Sequence, residues 1–315
     1  SGADLRFHSY LTGCIKEEGR ITHAIVDTKS GPQALKAKYI IDSTGDGDLC
    51  AMAGVPMQEQ AQPLQPPSLC FCLGGINTDE LELIHHEKQG LNYHNLRIQE
   101  KLHELEASEE VPMFGGPWFC SIHRPGRVMV NMTRTKADML DPMQAADAEC
   151  RLREDVHRFV ALLKKHIPDF KDAYLISTAM QTGVRETRHV KGVHVLTGEE
   201  YVNGVCFEDA IGRGAHPVDI HAAGDTSQKV IFLKEAAYIP YRSLIVEGFD
   251  NLLVAGRCFS ADQVASASVR VQASIMGLGQ AAGCAAAKCA ADGVSVHMVD
   301  VSGVRDVLRG WGAVI

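Results

Sequence analysis

The chain is short of aromatic side chains, with Phe, Trp and Tyr making up 6% of its 315 residues. It is also short of positive charge: 31 Lys and Arg stand against 39 Asp and Glu, a net charge of −8. General nucleic-acid binders and proteins held on anionic membranes need basic patches, so neither class fits. No stretch reaches the ~20 apolar residues that span a bilayer. Residues 1–6 carry no basic leader followed by an apolar run, so no export signal is expected and the expected location is cytoplasmic. The ten cysteines include no Cys-x-x-Cys pair and no His/Cys cluster at zinc spacing, so no metal site is expected. Cys70 and Cys72 sit in an apolar, strand-like run that points both to one face. They read as buried thiols in a reducing compartment rather than as a redox pair.

What the chain does have is an ordinary globular mixture, 45% hydrophobic and 22% charged, with 29 glycines. Its length suits one large domain or two modest ones, with a core that needs no disulfide. The opening reads as strands. Residues 5–8 form a short one, and residues 11–16 and 21–27 flank Glu17-Glu18-Gly19-Arg20, a hairpin turn with glycine where φ > 0 is wanted. Residues 37–42 are a compact apolar strand that runs into Ser43-Thr44-Gly45-Asp46-Gly47-Asp48 and then a helix over 49–53 stopped by Gly54 and Pro56. Residues 57–68, rich in Gln and Pro, read as a connecting loop. Residues 79–107 are charged and helix-prone, with Leu81, Ile84, His85 and Lys88 near helical spacing. Val128, Val130 and Met132 alternate as in a half-buried strand. Over 142–167, Leu152, Val156, Phe159, Val160, Leu163 and Ile167 fall on one helical face, and Pro168 ends it. A strand pair is expected around Leu244 and 251–255. A long helix rich in small residues follows from about 268 to 291, and a short amphipathic helix lies near 300–310.

Two segments carry binding chemistry. In residues 40–48 a buried strand ends in glycines ahead of a helix, where open α/β sheets bind nucleotides. Glycine lets the backbone approach a ligand, and aspartate accepts from ribose-type hydroxyls. The same residues also suit a strand-to-helix turn in which Asp46 and Asp48 only cap the helix. Near the other end, Asn251 to Gly256 is a buried strand ending in glycine, followed by Ser266 to Arg270 and the small-residue helix. The N-terminus of that helix could offer N–H groups to a ring oxygen, or the helix could pack against a sheet with no ligand at all.

Five segments together resemble the bacterial FAD-dependent oxidoreductases of the glutathione-reductase-like superfamily. They are the ATGDGD-type turn at residues 43–48, the GVRESR-type segment at 183–188, the PIDIH-type segment at 217–221, the IPYR segment at 239–242, and the closing LLVAGRC to GxxAG block at 252–283. All five occur in the family's order and span nearly the whole chain. The resemblance implies an α/β fold: a partial FAD-binding, Rossmann-like domain from 1–56 and 236–315, with an inserted α+β substrate domain over 57–235. It implies FAD as cofactor, with Thr44, Gly45, Asp46 and Asp48 near it and Gly256 and Arg257 by its ribityl and diphosphate portion. Ser268, Val269 and Arg270 would begin the closing helix beneath the pyrimidine end of the flavin, where a positive dipole end favours negative charge.

For substrate, the resemblance directs attention to Arg185, His216, His221 and Arg242, with Glu186, Arg188 and Asp219 beside them. Arginine holds carboxylate or phosphate, and histidine suits proton transfer accompanying hydride movement. His221 also reads as a core histidine bonded to backbone, and Arg185, Glu186 and Arg188 as a structural ion-pair network. His216 and His221, five apart across Pro217, lack helical metal-ligand spacing.

The family opens with a strand, a GxGxxG turn and a helix, and this motif is not in the chain. The expectation is therefore a fragment, a split-gene subunit or a truncated product, with a companion chain supplying that segment as a partner. The expected reaction of the complete enzyme is hydride transfer between a small organic substrate and FAD, by a chain that could also form homo-oligomers. The rival expectation is a non-catalytic partner or structural subunit that does not bind FAD by itself. A thiol-disulfide flavoenzyme would want a reactive CxxC or CxxxxC near the flavin, and none is suitably placed.

Overall fold

The computed structural model describes residues 2–76, 78, 93–121 and 124–315. The chain forms two compact units. One comprises Ser1–Gln62, Arg188–Ile220 and Val230–Ile315, and the other Pro63–Thr187 and His221–Lys229. Each has its own hydrophobic core. Residues 188–220 and 230–235 thus belong with the first unit rather than with the middle segment.

The first unit opens with β1 (Tyr10–Glu17), β2 (Arg20–Thr28) and β3 (Gly31–Lys36), an antiparallel meander. Glu18 (φ 46°) and Gly19 (φ 76°) both take left-handed geometry, as a two-residue hairpin turn requires. Residues 5–8 are not a strand: Leu5 and Phe7 are exposed, and His8 has φ 54°, which breaks an extended run. β3 was not anticipated, because Gly-Pro-Gln-Ala-Leu-Lys alternates weakly and gains its strand geometry from pairing with β2. β4 (Ile40–Asp42) leads through residues 43–47 into α1 (Asp48–Ala53), which ends at left-handed Gly54.

The second unit then begins. β5 (Phe71–Gly74) buries Phe71 and Leu73 and leaves Cys72 half-buried. Of the helix expected over 79–107, α2 (Tyr93–Leu105) is described, whereas Leu81, Ile84, His85 and Lys88 lie outside the described residues. β6 (Phe114–Ser121) and β7 (Arg127–Thr133) follow, with Val128, Val130 and Met132 buried in alternation. α3 (Pro142–His166) is capped by Asp141, whose carboxylate accepts from the amides of Met143 and Gln144 at 2.8 and 3.1 Å. It buries Leu152, Val156, Phe159 and Leu163, carries Lys164, Lys165 and His166 at its C-terminal end, and stops before Pro168. β8 (Tyr174–Thr178) completes a four-stranded sheet of order β6-β7-β5-β8.

Back in the first unit, α4 (Gly198–Val202) starts at a capping box between Thr197 and Glu200. β9 (Ala210–Gly214) precedes the segment around β10 (Val218–His221) and β11 (Gln228–Ile231), and pairs with β12 (Ala237–Pro240). Leu244 lies in a 3-10 turn rather than a strand. β13 (Leu252–Val254) lies parallel to β4 in the register Leu252–Ile40, Leu253–Ile41, Val254–Asp42. The long closing helix is two helices, α5 (Gln263–Val269) and α6 (Gln272–Asp292), parted where Val271 turns extended at ψ 144°. Ser268 to Arg270 therefore end one helix instead of beginning the next. α7 (Val301–Gly310) finishes the fold. No helix of the described residues is long and apolar enough to cross a membrane.

Buried Asn251 joins the hairpin to the parallel pair. Its Oδ1 accepts from the Ile21 amide at 2.9 Å, and its Nδ2 donates to the carbonyls of Ile21 and Lys38 at 2.8 and 3.0 Å. Asn251→Ala strands these buried groups and should cost roughly 2–3 kcal/mol. A urea midpoint unchanged from wild type would contradict that account.

Candidate functional site

The turn after β4 is shaped by Asp42, which is 1% exposed. Its Oδ1 accepts from the Thr44 amide and the Thr44 hydroxyl at 3.0 and 2.8 Å, and its Oδ2 accepts from the Cys50 amide at 2.9 Å. The Thr44 hydroxyl in turn accepts from the Asp48 amide at 2.9 Å. With those donors satisfied from inside, the turn is free to run through Gly45 (φ 86°) and Gly47 (φ 66°). Gly47 is the helix N-cap and supplies no side-chain bond. The two aspartates do not serve as that cap. Arg257 donates to Asp46 at 2.6 Å, and Arg188 donates to Asp48 at 2.9 Å and to the Asp46 carbonyl at 3.1 Å.

The parallel pairing of β4 with β13 brings the second glycine turn alongside. The Ala255 amide donates to the Asp42 carbonyl at 2.9 Å, and Gly256 follows with φ 145°. A Cβ built on Gly256 would lie 3.8 Å from the Gly45 backbone, and one on Gly45 would lie 2.7 Å from Nη1 of Arg257. The guanidinium thus covers Gly45, and its Nε is buried without a hydrogen-bond partner among the described residues. Thr44, Gly45, Asp46, Asp48, Gly256 and Arg257 form one constellation.

Cys50 and Cys258 lie behind this turn. Burial, reinforced by the charge of Asp42, raises the Cys50 thiol far above its ordinary range and pushes Cys258 up to about 12.

Ser268 and Val269 are fully buried at the end of α5. The Ser268 hydroxyl donates to the His216 carbonyl at 2.5 Å and lies 2.9 Å from the Tyr201 hydroxyl. A side chain at Gly214 would collide with that tyrosine. Arg270 donates to the Asp219 carbonyl at 3.2 Å. The His216 ring is exposed, with Nδ1 2.6 Å from the Pro217 carbonyl. Arg242 is held on Asp209 by its Nε and its amide, both at 3.0 Å.

In the second unit, buried Arg185 donates to the Pro66 carbonyl at 2.5 Å and to Asn131 at 3.4 Å, and Glu186 accepts from the Gln65 amide at 3.0 Å. Of the network expected among Arg185, Glu186 and Arg188, the first two hold the 65–66 segment, and Arg188 holds the turn at Asp46 and Asp48. His221 is buried, its amide donating to Gln65 Oε1 at 3.1 Å and its Nδ1 lying 2.5 Å from Arg134. Sequence reasoning passed over Arg134. The available signal was phase: it occupies the next inward position after Val128, Val130 and Met132, where a charge needs a partner.

A family profile described as FAD dependent oxidoreductase matches residues 1–308. A search of curated proteins found no match. Among solved structures, the chain is similar to a geranylgeranyl bacteriochlorophyll reductase-like protein from Thermoplasma acidophilum, at 12% identity and a TM-score of 0.42 over 96% of this chain and 53% of that one. It is similar to L-proline dehydrogenase from P. horikoshii, at 13% identity and a TM-score of 0.35 over 100% of this chain and 57% of that one. It is also similar to an anhydrotetracycline hydroxylase from Streptomyces rimosus, at 12% identity and a TM-score of 0.36 over 91% and 40%. The chain spans about half the length of these structures.

Thiol alkylation reacts through the thiolate, so a raised pKa protects. With a haloacetamide at mildly alkaline pH, the exposed Cys120, Cys150 and Cys206 should label in the folded protein, and Cys50 and Cys258 only after unfolding. Peptide mass spectrometry reads the order, and early labelling of Cys258 would overturn the picture of a closed turn.

Proposed function

Because the chain belongs to the FAD dependent oxidoreductase family, we propose that it works with FAD to move a hydride between a small organic substrate and the flavin. The residues of the first unit fit such a group. Two buried glycines lie where the parallel strands end, with the Arg257 guanidinium over Gly45, and Arg257 keeps a buried Nε–H that no described residue accepts. That unused donor is the observation that carries the reading, since a buried N–H wants an acceptor and the phosphate and hydroxyl oxygens of a dinucleotide supply them.

In this reading Thr44, Gly45, Asp46 and Asp48 shape the turn against the cofactor, and Gly256 allows its close approach. Arg257 lends charge while Asp46 holds it in place. Ser268, Val269 and Arg270 lead into α6, whose positive end favours negative charge on the ring. FAD supplies the two-electron chemistry when bound. Of the residues expected to meet substrate, Arg185 and His221 are the buried ones and carry that part of the proposal. His216 and Arg242 are the outer ones.

One observation favours a second reading, in which the chain is a structural partner that does not bind FAD by itself. Among the described residues β4 and β13 form a parallel sheet of two strands, whereas parallel sheets are ordinarily larger and covered on both faces.

Titration of the purified chain with FAD, followed by visible absorbance, separates the two. The proposal expects saturable binding that Gly45→Ala weakens by roughly tenfold or more, about 1.4 kcal/mol, with Arg257→Met acting in the same direction. A folded wild-type chain that takes up no flavin sinks the first reading in favour of the second.

A further inference from the structure

The second unit holds a cleft that the proposed function does not use. It has a volume of about 370 Å³ and lies wholly within Pro63–Thr187. That is the lower part of the roughly 300–1,000 Å³ usual for small-molecule sites. One wall is the segment that leaves β7, at Thr135 and Lys136. The other is a stripe of α3. Gln144, Asp147, Arg151 and Glu154 recur there at intervals of three and four, which sets them on one helical face. Buried Ala148 and exposed Cys150 complete the lining.

Two features point to an occupant. Thr135 is 4% exposed, yet its hydroxyl bonds to no described residue. A buried hydroxyl ordinarily has a partner, and the cleft is where this one can find it. The wall charges are also unused. Asp147 and Arg151 stand four apart, and Arg151 and Glu154 three apart, spacings at which helix ion pairs ordinarily close. Neither pair is formed, and Lys136 has no ion pair among the described residues. Arg151 acts on the charge of buried Asp155 without an ion pair to it.

We propose that this cleft binds a small zwitterion of the amino-acid type. Lys136 and Arg151 take its carboxylate, Asp147 and Glu154 take its ammonium, and the Thr135 hydroxyl bonds a polar group between them. A ligand of one sign only would meet two wall charges of its own sign, so the lining selects a molecule that carries both. Along α3 each neighbouring pair of opposite charges is separated by about 4.5–6 Å of helix rise, a spacing that the two ends of a dipeptide can match. The site does not involve FAD and does not rest on the function proposed above.

Cys150 reports occupancy, because it is exposed and lines the cleft, whereas Cys120 and Cys206 are exposed elsewhere. The full chain is alkylated with a haloacetamide at neutral pH in increasing diglycine, and peptide mass spectrometry reads the rate at each cysteine. Diglycine should slow Cys150 saturably, about tenfold at roughly ten times its dissociation constant, and leave Cys120 and Cys206 unchanged. Acetate and ethylamine, each carrying one of the two charges, should not protect at the same concentrations. Arg151→Gln and Glu154→Gln lie at exposed positions that keep the fold, and each should raise the half-protecting concentration about tenfold. Thr135→Val removes an unbonded hydroxyl, so it should weaken protection without lowering the urea midpoint. Labelling of Cys150 that ignores diglycine overturns the proposal. So does equal slowing of all three cysteines, equal protection by acetate or ethylamine alone, or protection unchanged in the folded Arg151→Gln and Glu154→Gln chains.

Discussion

Asp42 fixes the geometry on which the first unit's site is built. A carboxylate taken out of water is costly unless its lone pairs are occupied, and here the Thr44 amide, the Thr44 hydroxyl and the Cys50 amide occupy them. The three bonds reach from the last residue of β4 across the turn to the third helical residue of α1. They set the entry angle of the helix and leave the part-exposed Asp46 and Asp48 on the outer rim of the turn. Burial, reinforced by the same charge, raises the two thiols behind the turn and keeps that layer chemically quiet. Parallel pairing with β13 does the rest, since register with Leu252 to Val254 is what brings Gly256 beside Gly45.

The charges on the rim divide the labour. Asp46 and Asp48 stand where helix caps are common, but α1 begins at a glycine and takes only the dipole benefit of Asp48 in its first turn. Their carboxylates are engaged by Arg257 and Arg188, which come from the end of the second parallel strand and from residues 183–188. Both pairs are partly exposed, so their worth to stability is small. Their effect is orientation: two guanidinium groups are held in place against the glycine turn.

Much of this was legible in the sequence, and the residues show why. The hairpin was readable because glycine follows glutamate where two positive φ values are needed. α3 was readable because Asp141, Pro142 and Pro168 mark both ends of a periodic face. The glycine turns at 43–47 and 256 were readable because strand, glycine and helix follow one another within a dozen residues. β3 and the break between α5 and α6 were not. The first depends on a neighbouring strand. The second falls where Val271 departs from helical geometry beside Arg270, which is bonded to the distant Asp219 carbonyl. The contact between Arg134 and His221 joins residues 87 positions apart, and nothing local to either announces it. Residues 188–220, read as part of the middle segment, share a core with the terminal segments through Val190, Leu196, Tyr201 and Ile211.

The packing of Arg257 over Gly45 also bears on how this gene can vary. Every single-nucleotide change that replaces a glycine installs a residue with a β-carbon, and at position 45 that carbon meets both a left-handed backbone and the guanidinium. The left-handed backbone opposes a β-carbon at position 45 whatever stands at 257, and the end of the Arg257 side chain would have to swing aside as well. A change at position 257 removes the second obstacle and leaves the first, so the glycine is the more constrained of the two positions.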